Sequence, residues 1–384
     1  MRIEQFRWTE REKWVPAPPG NLKGQAQLAL VFGSTAICRN TDLMSEIRSL
    51  YPEAQIFGCS TAGEICGCRV TDDSLVLTVV QFEETRIRGV KAVILDAENS
   101  FSAGKTLAEE LAGDDLVHVL VFSDGLRING SELVRGLVKG LPDGVSITGG
   151  LSADGDRFRE TYVFWDGTPV RNHVVAVGLY GRHLRVGFGS FGGWDSFGPE
   201  RLVTRSRGNI LYEFDGRSAL TLYKTYLGEH AKNLPASGLL FPLQIRMPGS
   251  EERLVRTILS VSEEDQSLTF AGDIPEGALG RLMKANFDRL IDGAVEAAKS
   301  SRTMLCNASP ELALLISCVG RKLILRQRVE EEVEGVRDIL GEKAILSGFY
   351  SYGEISPTSG KGNSELHNQT MTVTILSELS EDTK

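Results

Sequence analysis

The sequence lacks any apolar run long enough to cross a bilayer: its longest, such as Leu75 to Val80, fall far short of the ~20 residues a spanning helix needs. It also lacks a signal-peptide core, because Met1 to Trp14 are charged and mixed, so a cytoplasmic protein is expected. No block of Lys and Arg stands out and the net charge is -9, which argues against nucleic-acid binding driven by phosphate neutralisation. No Cys-x-x-Cys occurs among the six cysteines. Cys59, Cys66 and Cys68 lie close in sequence but without a paired knuckle or nearby His, so thiols are expected rather than disulfides or a zinc site. What is abundant is glycine, 41 residues, many of them where strands should end. Hydrophobic content of 41% and charged content of 24% are those of a globular protein, and 384 residues suit roughly two domains.

One pattern occurs three times. Leu28 to Phe32 is apolar and ends in Gly33-Ser34-Thr35. A helical spacing follows at Leu43, Ile47 and Leu50, with Thr41 or Asp42 as the expected N-cap, and a second run through Ile56 and Phe57 breaks into Gly58 to Ile65. Val117 to Phe122, a helix with Val134, Leu137, Val138 and Leu141, and Val145 to Gly150 repeat the order. So do Leu312 to Cys318, a helix with Val329, Val333, Val336 and Leu340, and Ile345 to Ile355. Strand, helix, strand is the arrangement that lets two parallel strands pair, and ligands in such sheets sit beyond the carboxyl ends of the strands. The turn residues of all three copies are therefore expected at one rim, around a water-lined hollow.

Elsewhere, Met1 to Gly24 reads as an irregular arm because of Pro16, Pro18 and Pro19. Gly187-Phe188-Gly189-Ser190-Phe191-Gly192 matches the dinucleotide fingerprint literally, but Gly193 to Pro199 cannot open the helix that the phosphates require. Beyond Asp215-Gly216 the character changes. A helix is expected over Ser218 to His230, a strand over Leu239 to Ile245, a hairpin from Val255 to Ala271 and a long helix from about Leu279 to Lys299. The polar tail Ser377 to Lys384 should fray. The fold class expected is α/β with α+β elements: repeated strand-helix-strand units forming mixed sheets in two packed domains, 27–216 and 217–384, after an arm over 1–26.

Gly58-Cys59-Ser60-Thr61-Ala62-Gly63-Glu64-Ile65, Gly149-Gly150-Leu151-Ser152-Ala153-Asp154-Gly155, Val203-Thr204-Arg205-Ser206 with Gly208-Asn209, and Gly348 to Pro357 with Leu366-His367-Asn368-Gln369-Thr370 resemble the FIST family of sensory modules. The resemblance covers nearly the whole chain after the arm. It implies a signal-transduction sensor, not an enzyme, that binds an amino acid or similar small ligand. Its output would pass to a partner such as a histidine kinase or a cyclic-di-GMP enzyme. Some members of the family resemble haem-binding nitric-oxide sensors, which makes haem the alternative cofactor.

The candidate ligand-binding residues are Ser60, Thr61, Gly63, Glu64, Gly149, Gly150, Cys318, Ser351, Tyr352, Gly353, Glu354, His367, Asn368 and Gln369. Glu64 and Glu354 each follow a glycine, where a carboxylate accepts hydrogen bonds either from a ligand ammonium or from its own backbone. The hydroxyls of Ser60, Thr61 and Ser351 serve turns as readily as ligands. For haem, which would be bound non-covalently, His183, His230 or His367 is the expected axial ligand, since His118 and His173 lie in apolar runs. A thiol enzyme would use Cys318, activated by Arg321, or Cys59 near His367, although no orienting third group is evident.

Overall fold

The computed structural model describes residues 1–16, 19–249, 253–306, 308–358 and 363–379; Pro18 of the arm and the tail beyond Leu379 lie outside them. Leu28–Gly33 and Gln55–Ser60 are buried on both faces and pair in parallel, joined by the helix Thr41–Leu50. That helix buries Leu43, Met44 and Ile47, and it is capped by Asn40, whose side chain accepts the Leu43 N–H at 3.1 Å, rather than by Thr41 or Asp42. The second unit repeats this with Leu116–Ser123, the helix Gly130–Gly140 and Ser146–Leu151, and the third with Leu312–Cys318, Val329–Leu340 and Ile345–Ser351.

Each unit gains two further antiparallel strands. Leu75–Gln81, His173–Tyr180 and Met371–Glu378 pair with the first strand of their units. Beyond them lie Arg2–Thr9, Arg86–Val93 and Leu184–Phe191. The arm is therefore a strand in its first part: Phe6 and Trp8 are buried against the first sheet, and Pro16 comes only after the second strand, Lys13–Val15, has ended. The fingerprint-like glycines of Gly187 and Gly189 fall on a strand, packed against the helix Phe287–Met304.

The units are interlocked by exchange of their hairpins. Glu64–Cys66 with Arg69–Thr71, which follows the first unit, pairs with Ile345–Ser351 of the third. Val163–Trp165 with Thr168–Val170 follows the second unit and pairs with Gln55–Ser60 of the first. Gly353–Pro357 with Ser364–His367 follows the third and pairs with Ser146–Leu151 of the second. The result is a closed ring of three units with pseudo-threefold symmetry. One glycine recurs in it for a steric reason: a Cβ on Gly58, Gly149 or Gly348 would overlap the carbonyl oxygen of Val31, Val121 or Leu315 on the neighbouring parallel strand.

On the ring axis the aromatic residues Phe32, Phe122 and Phe349 pack with centroids 4.8 to 6.3 Å apart, joined by Leu30, Leu120 and Ile316. The space between the sheets is thus a close-packed core, not a water-lined hollow.

Between Phe191 and Phe287 the third unit carries an insertion. Its sheet runs through Trp194–Arg207, Ile210–Phe214, Leu243–Arg246 and Leu279–Ala285, and only Thr257 separates its edge strands Leu254–Arg256 and Ile258–Ser262, so the sheet curls round on itself. The helix Ala219–Leu227 packs Leu220, Tyr223 and Leu227 into this barrel. Two expectations are corrected here. Leu279–Ala285 is a strand, with the helix beginning only at Phe287, because Leu279, Leu282 and Met283 fit either period and pairing with Trp194–Arg207 decides. The strand expected from Leu239 starts at Leu243, after a 3-10 turn over Ala236–Leu240. That turn and Gly228–Asn233 form a strap from the barrel back to the ring.

Candidate functional site

The three turns expected at one rim do meet there. Each donates a backbone N–H to a neighbouring unit: Ala62 to the Tyr350 oxygen at 2.9 Å, Ala153 to the Ser60 oxygen at 2.9 Å, and Tyr352 to the Leu151 oxygen at 3.2 Å. Ala62, Ala153 and Tyr352 are therefore equivalent positions of the ring.

The glutamates beside two of these turns are fully buried and bonded to their own chain. Glu64 accepts from the Thr61 hydroxyl, from the Ser74 hydroxyl at 2.6 Å and from the Ser74 N–H at 3.2 Å. Glu354 accepts from Ser351 at 2.5 Å, from the Thr370 hydroxyl at 2.9 Å and from the Thr370 N–H at 3.1 Å. Burial pushes Glu64 up to about 7, against the Ser74 and Thr61 hydrogen bonds and the nearby Lys322. Burial likewise pushes Glu354 up to about 8.

The other sequence candidates are mostly committed in the same way. Ser60 donates to the Ala153 oxygen and accepts from the Tyr162 N–H. Asn368 and Gln369 bind the backbone oxygens of Tyr352 and Leu239. Gly150 faces Ile316 and Phe349 in the axial core, and Gly353 packs against Asn368 and Leu151. Tyr352 bonds to Asp154 and the Gly155 oxygen and stacks on Phe158 at 4.6 Å. Cys318 and Cys59 are fully buried, and burial raises both thiols. Arg321, expected to activate Cys318, is instead bonded to Glu332 at 2.7 Å. His367 bonds the Ser356 oxygen, and burial pushes it down to about 4.

Open space lies beside these turns, in a cleft of about 840 Å³ between the first and third units, with Gly155 and Asp156 of the second unit's turn on its wall and the strap as its roof. Ala62, Val319, Leu323 and Val329 supply its apolar wall. Its polar groups come from Asp72, Asp156, His230, Ser237, Lys322 and Arg326. Lys322 donates to the Ala62 oxygen at 2.8 Å and pairs with Asp72. Gly63, at φ +136, leaves room for that ammonium, because a Cβ there would overlap Nζ. Apart from His230, these polar residues carry no signal in the sequence: each stands in a turn or short helix with ordinary surface composition. Among the described residues, no group of His, Cys, Asp and Glu is arranged to hold a metal ion, and no helix is long and apolar enough to cross a membrane.

The FIST N domain matches residues 27–217 and the FIST C domain residues 219–357. The chain belongs to the FIST family. FIST domains are signal-transduction sensor domains. An uncharacterized protein of Mycobacterium tuberculosis (strain H37Rv) is 24% identical over 369 residues, covering 92% of each chain. An uncharacterized protein of Methanocaldococcus jannaschii is 23% identical over 367 residues, covering 86% of this chain and 69% of its own. Among solved structures, the cyanuric acid hydrolase of A. caulinodans aligns over 99% of both chains at 8% identity with a TM-score of 0.39.

Proposed function

We propose that the strap-roofed cleft is the ligand site of this FIST sensor. A small polar molecule, such as an amino acid, binds there, and its occupancy alters a surface read by a partner protein of the histidine kinase or cyclic-di-GMP enzyme class. The carrying observation is that the cleft lies where residues of all three units and the strap converge, with both Lys322 and Arg326 and both Asp72 and Asp156 on its walls. An amino acid needs an anion and a cation within a few ångströms of each other, and a wall of mixed sign offers both. Because the strap leads into the barrel, a ligand that grips strap and ring together favours one arrangement of the two. The test is a thermal-shift screen with the twenty amino acids. A ligand at a hundred times its Kd should stabilise the fold by about 2.7 kcal/mol, and no concentration-dependent shift with any of them rejects the reading.

Haem is a second reading, resting on His230. Among the three histidines considered as axial ligands, His367 is bonded to Ser356 and His183 is not part of the cleft wall, whereas His230 opens on it beside Leu234 and Leu240. Bound haem would supply an iron that takes nitric oxide; His230 would hold it, and the apolar wall would exclude water. Titration with haemin should give a Soret band that His230→Ala shifts or abolishes. A spectrum identical to free haemin overturns this reading.

A further inference from the structure

We infer that the cleft selects molecules bearing a single carboxylate, received by Lys322 Nζ in exchange for the Asp72 carboxylate now paired with it, with the Ser237 hydroxyl of the strap as the second contact. The inference rests on the reading of this cleft as the sensor site and names the chemistry of its ligand.

Lys322 is positioned for the task. Its side chain is only 15% exposed, its Nζ is fixed by the Ala62 oxygen at 2.8 Å and lies 5.7 Å from the Tyr350 ring centroid, and the missing Cβ of Gly63 makes its berth. An ammonium has three donors, and the Ala62 oxygen and the Asp72 carboxylate account for two. Asp72 is the weak member of the arrangement. It is 70% exposed, and an ion pair with one partner so open to water is cheaply exchanged for another carboxylate.

The strap supplies the second contact. Ser237 is 5% exposed and lines the same cleft, and its hydroxyl, itself buried, has no hydrogen-bond partner among the described residues. A buried hydroxyl left in that state is costly and gains from any acceptor brought to it. Charge sets the valence. Asp72 and Asp156 on the walls offset Lys322 and Arg326, so the cleft has no surplus of positive charge to hold the second charge of a dianion such as a phosphate monoester, and a carboxylate carries one. Val70, Leu240, Val319 and Leu323 then receive the hydrocarbon part.

The experiment is isothermal titration with matched pairs: the twenty amino acids against their carboxamides, and 4-methylpentanoate against 4-methylpentanamide. The acid of a binding pair should be at least ten-fold tighter than its amide. Lys322→Met should erase that preference, and Ser237→Ala should weaken the acid several-fold. Asp72→Asn, an exposed position where folding is not at stake, should tighten the acid by removing its competitor. Amides that bind as well as acids, or an Asp72→Asn variant that binds acids more weakly, overturn the carboxylate anchor while leaving the sensor reading in place. Binding by no member of either series overturns both.

Discussion

Two seams of the ring share one backbone bond and differ in the side chain set beside it. Where the third unit's turn meets the second, Tyr352 reaches across, bonds Asp154 and the Gly155 oxygen, and stacks on Phe158. Where the first unit's turn meets the third, the equivalent residue is Ala62, with the same N–H to neighbouring carbonyl bond and an open cleft in front of it. The second unit's turn is intermediate: Ala153 stands at that position, while Arg157 spans the seam to the Thr35 hydroxyl at 2.9 Å. The interlocked hairpins thus fix the ring, and side-chain volume decides which seam is left open.

The comparison breaks most sharply if the filled seam is emptied. Tyr352→Ala should cost about 3–5 kcal/mol of stability, the range for removing a large buried aromatic side chain, measured as a lowered denaturant midpoint at unchanged slope. A loss below about 1 kcal/mol, the size of an ordinary surface change, would mean that the tyrosine does not hold the seam. The reverse change comes next. Ala62→Tyr places the same side chain before the cleft, so any ligand found in the amino-acid screen should bind at least ten-fold more weakly, about 1.4 kcal/mol. Undiminished affinity in a folded variant would place the ligand elsewhere.

Much of the ring was legible in the sequence, because parallel strand pairing is local: a strand, its crossover helix and its partner lie within about forty residues, and the period of each can be read directly. The exchange of hairpins was not. Glu64–Cys66 pairs with strand residues some 280 positions away, and nothing in its own composition distinguishes that partner from the strand it has just left. The same limit hid the cleft. The motif residues Thr61, Glu64, Ser351 and Glu354 stood out because they recur, yet recurrence here marks what closes the first and third turns. Lys322 and Ser237 have no counterpart in the repeats, since they line the cleft at the seam of the first and third units. His230 could be placed near a cleft because it ends a helical pattern, whereas Lys322 depends on a notch at Gly63 that only coordinates reveal.

The smallest expected difference separates the two glutamates. Both have folded-state values raised above those of an unfolded chain, so both favour the fold at mildly acidic pH, and that contribution is lost as pH rises from about 4.5 through about 7 for Glu64 and about 8 for Glu354. Stability should therefore fall across this window by an amount on the order of 1–3 kcal/mol, since a tenfold change in proton affinity corresponds to about 1.4 kcal/mol and hydration of buried sites reduces the full value. Glu354→Gln should flatten the upper part of the fall and Glu64→Gln the lower part. The Glu64 effect should be the smaller, because its value is raised to about 7 and that of Glu354 to about 8, although each has a cation nearby, Lys322 and Arg321, that favours its charged form. Denaturant melts of the two variants between pH 5 and 9 measure this directly. Equal slopes for wild type and both variants would show that neither carboxyl is protonated in the fold, and a larger effect at Glu64 would show that the open seam, not the closed one, holds its glutamate away from water.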